Sequence, residues 1–307
     1  MPNAKVAVLL STFNGEKYLP EFLHSLAHQE WPDISLVARD DGSSDTTLQI
    51  LQNFPGTSSV NVQVFSASVH LGVAHSFLNI LSGAGDGFDY YAFADQDDVW
   101  LPAKISRALN KLDPVSAAVP TLYFSRLEFV DDALNHLGWS RVPRRVGFGN
   151  AIVENVATGC TVVLNKSARE LILSALPAEC LLHDWWCYLT LSCLGTVVFD
   201  DYSGIQYRQH GGNLVGVPTS FEADLFRRVK RFIRSDDGIF RCSDQAKEFL
   251  AAFGDRIPDY QRQILNLAIS GKSIFKDRIR LAKTRKIWRQ TKIDDWMTRI
   301  LIIMNHY

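Results

Sequence analysis

Along the first two thirds of the chain, short apolar runs alternate with stretches whose apolar residues recur every three or four positions. Residues 5–10 are continuously apolar after Lys5 and stop at the polar Ser11 and Thr12, followed by Asn14 and Gly15, as a strand buried on both faces and ending in a loop should. Leu19, Phe22, Leu23 and Leu26 then repeat at helical spacing until Trp31 and Pro32, with Asn14 placed to cap that helix. The unit recurs, with 34–38 as strand, 40–44 as loop, and Leu48, Ile50, Leu51 and Phe54 on a helix. A strand near 60–65, a helix near 73–81 and a strand at 90–94 follow. Past Asp98 the pattern predicts a helix opening at Leu101 and Pro102. It then predicts strands near 121–129 and 161–164, helices near 168–175 and 185–194, and a strand pair around 196–207.

Strands alternating with helices of this length predict an α/β fold, a mostly parallel doubly wound sheet with helices on both faces. In such sheets ligands bind beyond the carboxyl ends of the strands. The polar clusters 11–14, 40–45 and 95–98 each follow a predicted strand at that end, so all should meet in one crevice. The third cluster holds Asp95, Asp97 and Asp98, whose mutual repulsion a cation would relieve. Hard carboxylate oxygens suit Mg²⁺ or Mn²⁺, which keep open positions for phosphate oxygens. An acidic turn capping the next helix is the plainer alternative. In the second cluster a carboxylate can accept the ring N–H of a uracil or thymine, while Gly42 lets a backbone approach closely.

Composition adds a class and a division. The chain has 307 residues, 47% hydrophobic, enough for one large domain with an appendage, and a net charge of −1 that gives no case for nucleic acid. That total conceals a division, because residues 1–216 carry 13 Lys+Arg against 22 Asp+Glu and residues 217–307 carry 19 against 11. Two regions are therefore expected, a catalytic domain over 1–216 and a basic helical extension over 217–307. Five cysteines without zinc-site spacing favour a reducing, cytoplasmic compartment, and no apolar run is long enough to span a membrane.

The segments 10–15, 39–45 and 93–100, in this order and spacing, resemble the signature of family 2 glycosyltransferases, and the likeness extends over about 5–213. The resemblance implies a GT-A fold, a nucleotide-sugar donor and transfer with inversion. By the same resemblance Thr12, Asp40 and Asp41 would hold the nucleobase and ribose, Asp95 would contact the ribose or metal, and Asp97, with Asp98 beside it, would be the metal ligand. Arg39 is expected to pair with a neighbouring Asp. In the segment 183–186, Asp184 resembles the family's base, and Trp185 and Trp186 would offer ring faces to a sugar, with helix capping and core packing as the alternatives. In the segment 207–213, His210 would be a further metal or diphosphate ligand and Arg208 would offset charge on the leaving phosphate. The motifs are most similar to bacterial rhamnosyltransferases of O-antigen or cell-wall polysaccharide, which implies dTDP-rhamnose first and a UDP-hexose or UDP-hexosamine second. The acceptor would be a saccharide or a polyprenyl-diphosphate-linked chain.

Residues 271–292 hold nine Lys/Arg and one acid, Asp277, among apolar positions. This segment is expected to lie on an anionic membrane surface or to pack on the catalytic domain or on a second subunit of a homo-oligomer. A nucleotidyltransferase would show a basic, glycine-rich first loop, and a processive synthase would show membrane spans. A silent scaffold subunit has no reason to keep the repelling carboxylates.

Overall fold

The computed structural model describes residues 4–56, 58, 60–66, 69–209 and 241–307. Strand β1 (Val6–Thr12) is buried along almost its whole length and sits inside a seven-stranded sheet. Its neighbours are β2 (Ile34–Asp40) on one side and β4 (Tyr90–Ala94) on the other, both parallel to it, with Thr12 opposite Asp40 and Leu10 opposite both Ala38 and Ala94. Three adjacent parallel strands therefore end together, and the loops that follow them emerge side by side. β3 (Asn61–Ser66) pairs parallel to β2 and forms the edge.

Helices α1 (Leu19–Ala27), α2 (Thr47–Asn53) and α3 (Gly72–Gly83) connect these strands. Two buried apolar clusters form, one containing Phe22, Leu36 and Trp100, the other containing Phe77, Tyr91 and Trp186. The sheet continues through β9 (Val163–Asn165), β6 (Thr121–Ser125) and β10 (Thr196–Asp200), with β9 antiparallel to both β4 and β6. The expected mostly parallel α/β sheet is present, with that one strand reversed.

The expected strand pair around 196–207 is corrected. β10 pairs parallel with β6 at the sheet edge, whereas β11 (Ile205–Arg208) belongs to a separate four-stranded sheet with β5 (Val99–Trp100), β7 (Glu128–Val130) and β8 (His136–Trp139). The expected strand over 121–129 divides likewise between β6 and β7. Arg126 marks the break: its backbone N–H donates to the Asp200 carbonyl, and its side chain to Ser140. The helix expected at Leu101 begins instead at Lys104 (α4, Lys104–Leu112), because Val99 and Trp100 are held in strand pairing with β11. Asn14 does not cap α1, which starts at Leu19 after a turn in which Tyr18 and Leu19 donate to the Gly15 carbonyl. Asn14 instead adopts φ 47° and its side chain accepts from the Ser44 N–H.

Between β8 and β10 lie α5 (Phe148–Ala151), α6 (Lys166–Leu173) and α7 (His183–Leu194). The C-terminal helices α8 (Cys242–Phe253), α9 (Asp259–Ser270), α10 (Phe275–Lys283) and α11 (Lys292–Ile303) share the apolar cluster of the sheet, which runs from Ala7 to Ile302. Phe249 and Phe253 pack on Trp186 with ring centroids 5.6 and 6.1 Å away. Glu154 receives Arg289 at 3.3 Å and the Gln290 N–H at 2.8 Å. Of the two packing alternatives for the basic region, the inner face is packed on the catalytic part. The expected boundary at 216 lies outside the described residues. No described helix is long and apolar enough to cross a membrane.

Candidate active site

Hydrogen bonds stitch the three strand-end loops together. Phe13 and Gln96 exchange a pair, Phe13 N–H to Gln96 Oε1 at 3.0 Å and Gln96 Nε2 to the Phe13 carbonyl at 3.1 Å, which joins the first loop to the acidic one. The Asn14 N–H donates to Ser43 Oγ at 2.9 Å and the Gly15 N–H to Thr47 Oγ1 at 2.7 Å, joining the first to the second. A Cβ at Gly15 would overlap the end of the Gln96 side chain and displace it from its two bonds to Phe13. The expected single crevice is what the fold builds.

The carboxylates of the second loop lie beneath its surface. Asp40 accepts from Thr12 Oγ1 at 3.1 Å and from the Ser43 N–H at 3.0 Å. Asp41 accepts from the Leu71 and Gly72 N–H groups at 3.0 Å each and from Arg39 at 2.9 Å, the pairing expected of Arg39. Every oxygen of these two carboxylates thus has a donor, and Thr12, Asp40 and Asp41 are all buried. Direct contact with a base would require exchanging one of these bonds. The first loop, by contrast, exposes Phe13, 46% accessible, with the His70 ring 4.6 Å away.

In the acidic loop, Asp95 and Asp97 are half-buried and Asp98 is buried. Burial, then the charges of Asp97 and Asp184, push the Asp95 carboxyl up to about 7. Burial and the charges of Asp97 and Asp95 hold Asp98 well above the usual carboxylate range. Asp98 Oδ1 accepts the Arg208 N–H at 3.2 Å, while its Oδ2 is buried with no hydrogen-bond partner. Donor atoms of Asp95, Asp98 and Cys160 lie within 4.8 Å of one another. An orphaned carboxylate oxygen beside a second carboxylate, with a third close enough to repel both, is a donor set that fits a hard divalent cation. Cys160 is the soft member, and burial first, then Asp98 and Asp95, keep its thiol protonated. Asp97, the expected principal ligand, is outside this tightest group. Lys104 contributes a buried positive charge, held down to about 8 by burial against the pull of Cys160, Asp98 and Asp95, with its Nζ 4.0 Å from the Trp100 ring.

Asp184 stands in the first turn of α7, buried, and burial raises its carboxyl to about 6. Its Oδ2 accepts the Gly159 N–H at 2.8 Å and its Oδ1 the Trp185 N–H at 2.6 Å. Because its charge is among those that raise Asp95, the two carboxylates share one electrostatic environment. Beside it, His183 stacks on Phe77 at 4.0 Å with neither ring nitrogen hydrogen-bonded, and burial lowers it to about 3, so it stays neutral. Gly159 packs so closely that a Cβ would lie 2.9 Å from His183 Nε2.

The expectation that Trp186 meets a sugar is corrected. Its side chain is wholly buried against Phe249 and Phe253, because residue 186 falls on the face of α7 covered by α8. Trp185 is half-buried, and its ring N–H donates to the Ala151 carbonyl. Arg208 is buried too, and its guanidinium donates to the carbonyls of Asp97 and Asp132 and to Glu21, so it braces the acidic loop. His210 lies outside the described residues. Phe13, Lys104, Gly159 and Cys160 were not singled out from sequence. Of these only Phe13, an aromatic directly after Thr12, carried a local signal.

Residues 7–170 match the family described as glycosyl transferase family 2. The chain belongs to that family. The dTDP-rhamnosyl transferase RfbG of Shigella flexneri is 29% identical over 233 residues, covering 71% of this chain and 77% of that protein. The poly(ribitol-phosphate) β-N-acetylglucosaminyltransferase TarS of Staphylococcus aureus is 33% identical over 96 residues, 31% of this chain and 16% of that one. The crystal structure of TarS 1–349 with UDP-GlcNAc superposes with a TM-score of 0.56 at 18% identity, over 99% of this chain and 93% of that one. A Pyrobaculum calidifontis mannosyltransferase with GDP-Man and Mn²⁺ gives 0.54 at 17% identity, over 91% and 73%. The family 2 chain thus has the GT-A fold, and the expected resemblance to bacterial rhamnosyltransferases holds.

Proposed function

We propose that this family 2 glycosyltransferase moves L-rhamnose from dTDP-rhamnose to a saccharide or polyprenyl-diphosphate-linked acceptor in bacterial surface polysaccharide synthesis, with inversion and with a divalent cation. The observation that carries the reading is the junction of three strand-end loops around Asp95, Asp97 and Asp98, with buried Asp184 close enough to raise Asp95. The likeness to a dTDP-rhamnosyl transferase supports the choice of donor.

In this reading Asp184 takes the proton from the acceptor hydroxyl as that oxygen attacks the anomeric carbon and the nucleoside diphosphate departs from the opposite face. A carboxylate with its affinity for protons raised to about 6 is a better base near neutral pH than an ordinary one, and its two backbone N–H partners fix its direction. Asp95, Asp97 and Asp98 would hold Mg²⁺ or Mn²⁺, which when bound offsets the charge of the departing diphosphate. Thr12, Asp40 and Asp41 form the wall against which the nucleoside lies, and Phe13 offers its exposed ring to the base. Arg208 holds the acidic loop, and Trp185 lies beside the acceptor.

The test is nucleotide release from dTDP-rhamnose and from UDP-sugars by the purified protein, with Mn²⁺ or Mg²⁺ and with chelator. Release from dTDP-rhamnose above the UDP-sugars supports the proposal. Preference for a UDP-hexose or UDP-hexosamine replaces the donor, and no release from any donor with either metal refutes the enzymatic reading in favour of a scaffold subunit.

A further inference from the structure

We infer that the outward face of α10 is a docking surface for an anionic lipid bilayer, which holds the enzyme against a membrane whichever sugar it transfers. α10 is two-sided. Leu281 and Ala282 are buried toward the protein, and Arg278 donates to the carbonyls of Gly271 and Lys272, closing the end of α9. The opposite side carries Phe275, Lys276, Ile279, Arg280 and Lys283, which with Thr284 line a shallow, open hollow of ≈ 640 Å³. Phe275 is 62% accessible, an uncommon position for a phenylalanine, and Ile274 beside it is also exposed.

The charge on this face is predominantly positive. Asp277, the only acid in residues 271–292, turns toward Ser270 Oγ at 2.9 Å and Arg280 at 3.2 Å. Lys276 and Lys283 have no acidic partner among the described residues. Arg285 and Lys292 are exposed nearby, and Lys286 lies over the exposed Tyr260 ring at 4.3 Å.

Two features favour a bilayer over an acidic protein. Apolar anchors and long cationic side chains share one helical face, so Phe275 and Ile279 can enter the acyl boundary while lysine and arginine heads reach outward to phosphates. The hollow is also shallow and open, without the depth that would seat a particular side chain. Anionic headgroups complement the excess of positive charge that Lys276 and Lys283 leave on this face.

The experiment is vesicle co-sedimentation of the full chain with phosphatidylcholine alone and with phosphatidylcholine containing phosphatidylglycerol. The protein should sediment with the anionic vesicles only and be released by salt. The triple variant Lys276→Gln, Arg280→Gln, Lys283→Gln should lose partitioning roughly 100-fold, three surface cations having been removed. Phe275→Ser should weaken binding while leaving its salt dependence in place. All four side chains point away from the core, so nucleotide release without lipid should be unchanged in both variants, which separates this proposal from the catalytic one. Failure of the wild type to bind, or equal binding by the triple variant, overturns the inference. So does a dimer in solution that the triple variant converts to monomer, since a second copy would then cover the face.

Discussion

Replacing Asp184 by Asn separates two consequences of burying a carboxylate. General base catalysis typically contributes about 10²–10⁴-fold, so kcat for transfer should fall by roughly that factor while donor KM changes little. Stability should move differently. The carboxyl rises from 3.8 to about 6 on folding, so the folded state binds its proton more tightly than the unfolded chain does. Its contribution is therefore most favourable below pH ~4 and is lost as the pH rises through about 6, reaching a cost of roughly 3 kcal/mol at neutral pH. The neutral amide removes that cost. It also turns an N–H₂ toward either the Gly159 or the Trp185 N–H, giving up a charge-assisted hydrogen bond of about 1.5–3 kcal/mol. Only the wild-type carboxyl titrates, so the difference between the two proteins varies with pH through that group alone. The Tm of Asp184→Asn relative to wild type should therefore rise between pH 4 and pH 7, and the wild-type kcat/KM should climb through an apparent pKa near 6. Thermal melts across pH and initial-rate kinetics measure both. Transfer within tenfold of wild type, with no acid limb near pH 6, would refute the assignment of the base.

Gly149→Ala should displace the segment 286–288 that joins α10 to α11, because its Cβ would overlap the Lys286 carbonyl and the Trp288 ring; a loss of about 1–3 kcal/mol in denaturant unfolding is expected. Trp186→Ala should cost about 3–5 kcal/mol through the cavity left against Phe249 and Phe253, whereas half-buried Trp185→Ala should cost less stability and affect acceptor KM; equal losses of stability would contradict the difference in their burial. Asp98→Asn should lose metal affinity if Asp98 Oδ2 is a ligand, and calorimetric titration with Mn²⁺ checks it.

The sheet and crevice were legible because the apolar runs in β1 and β4 are uninterrupted, that in β2 is broken only at Ser35, and each ends abruptly in polar residues. Strand ends in a parallel sheet face one way, so the convergence of the three loops followed. β9 was harder, since a three-residue strand carries no sign of its direction. The small sheet was hidden because β7 continues the run of β6 across Arg126, and all four of its strands are no more than four residues long. Within the site, contacts far apart in sequence were the ones missed. That Lys104 and Cys160 lie beneath the acidic loop follows from packing, and no local pattern announces it. Trp186 shows the converse: an aromatic next to a motif residue reads as a ligand contact until the helix that covers it is in place. For α10, the pattern alone left membrane docking and packing on the protein as alternatives, and the structure assigns packing to the inner side of the same helix.

The most direct test of the central claim is a titration of dTDP into the protein with Mn²⁺ and, separately, with chelator, using wild type and Asp97→Ala. The account predicts binding that requires Mn²⁺ in the wild type and is weakened at least tenfold in Asp97→Ala, with an unchanged Tm in the absence of ligand. Binding of equal strength in chelator, or equal binding by Asp97→Ala, would contradict a carboxylate-held cation at the end of β4.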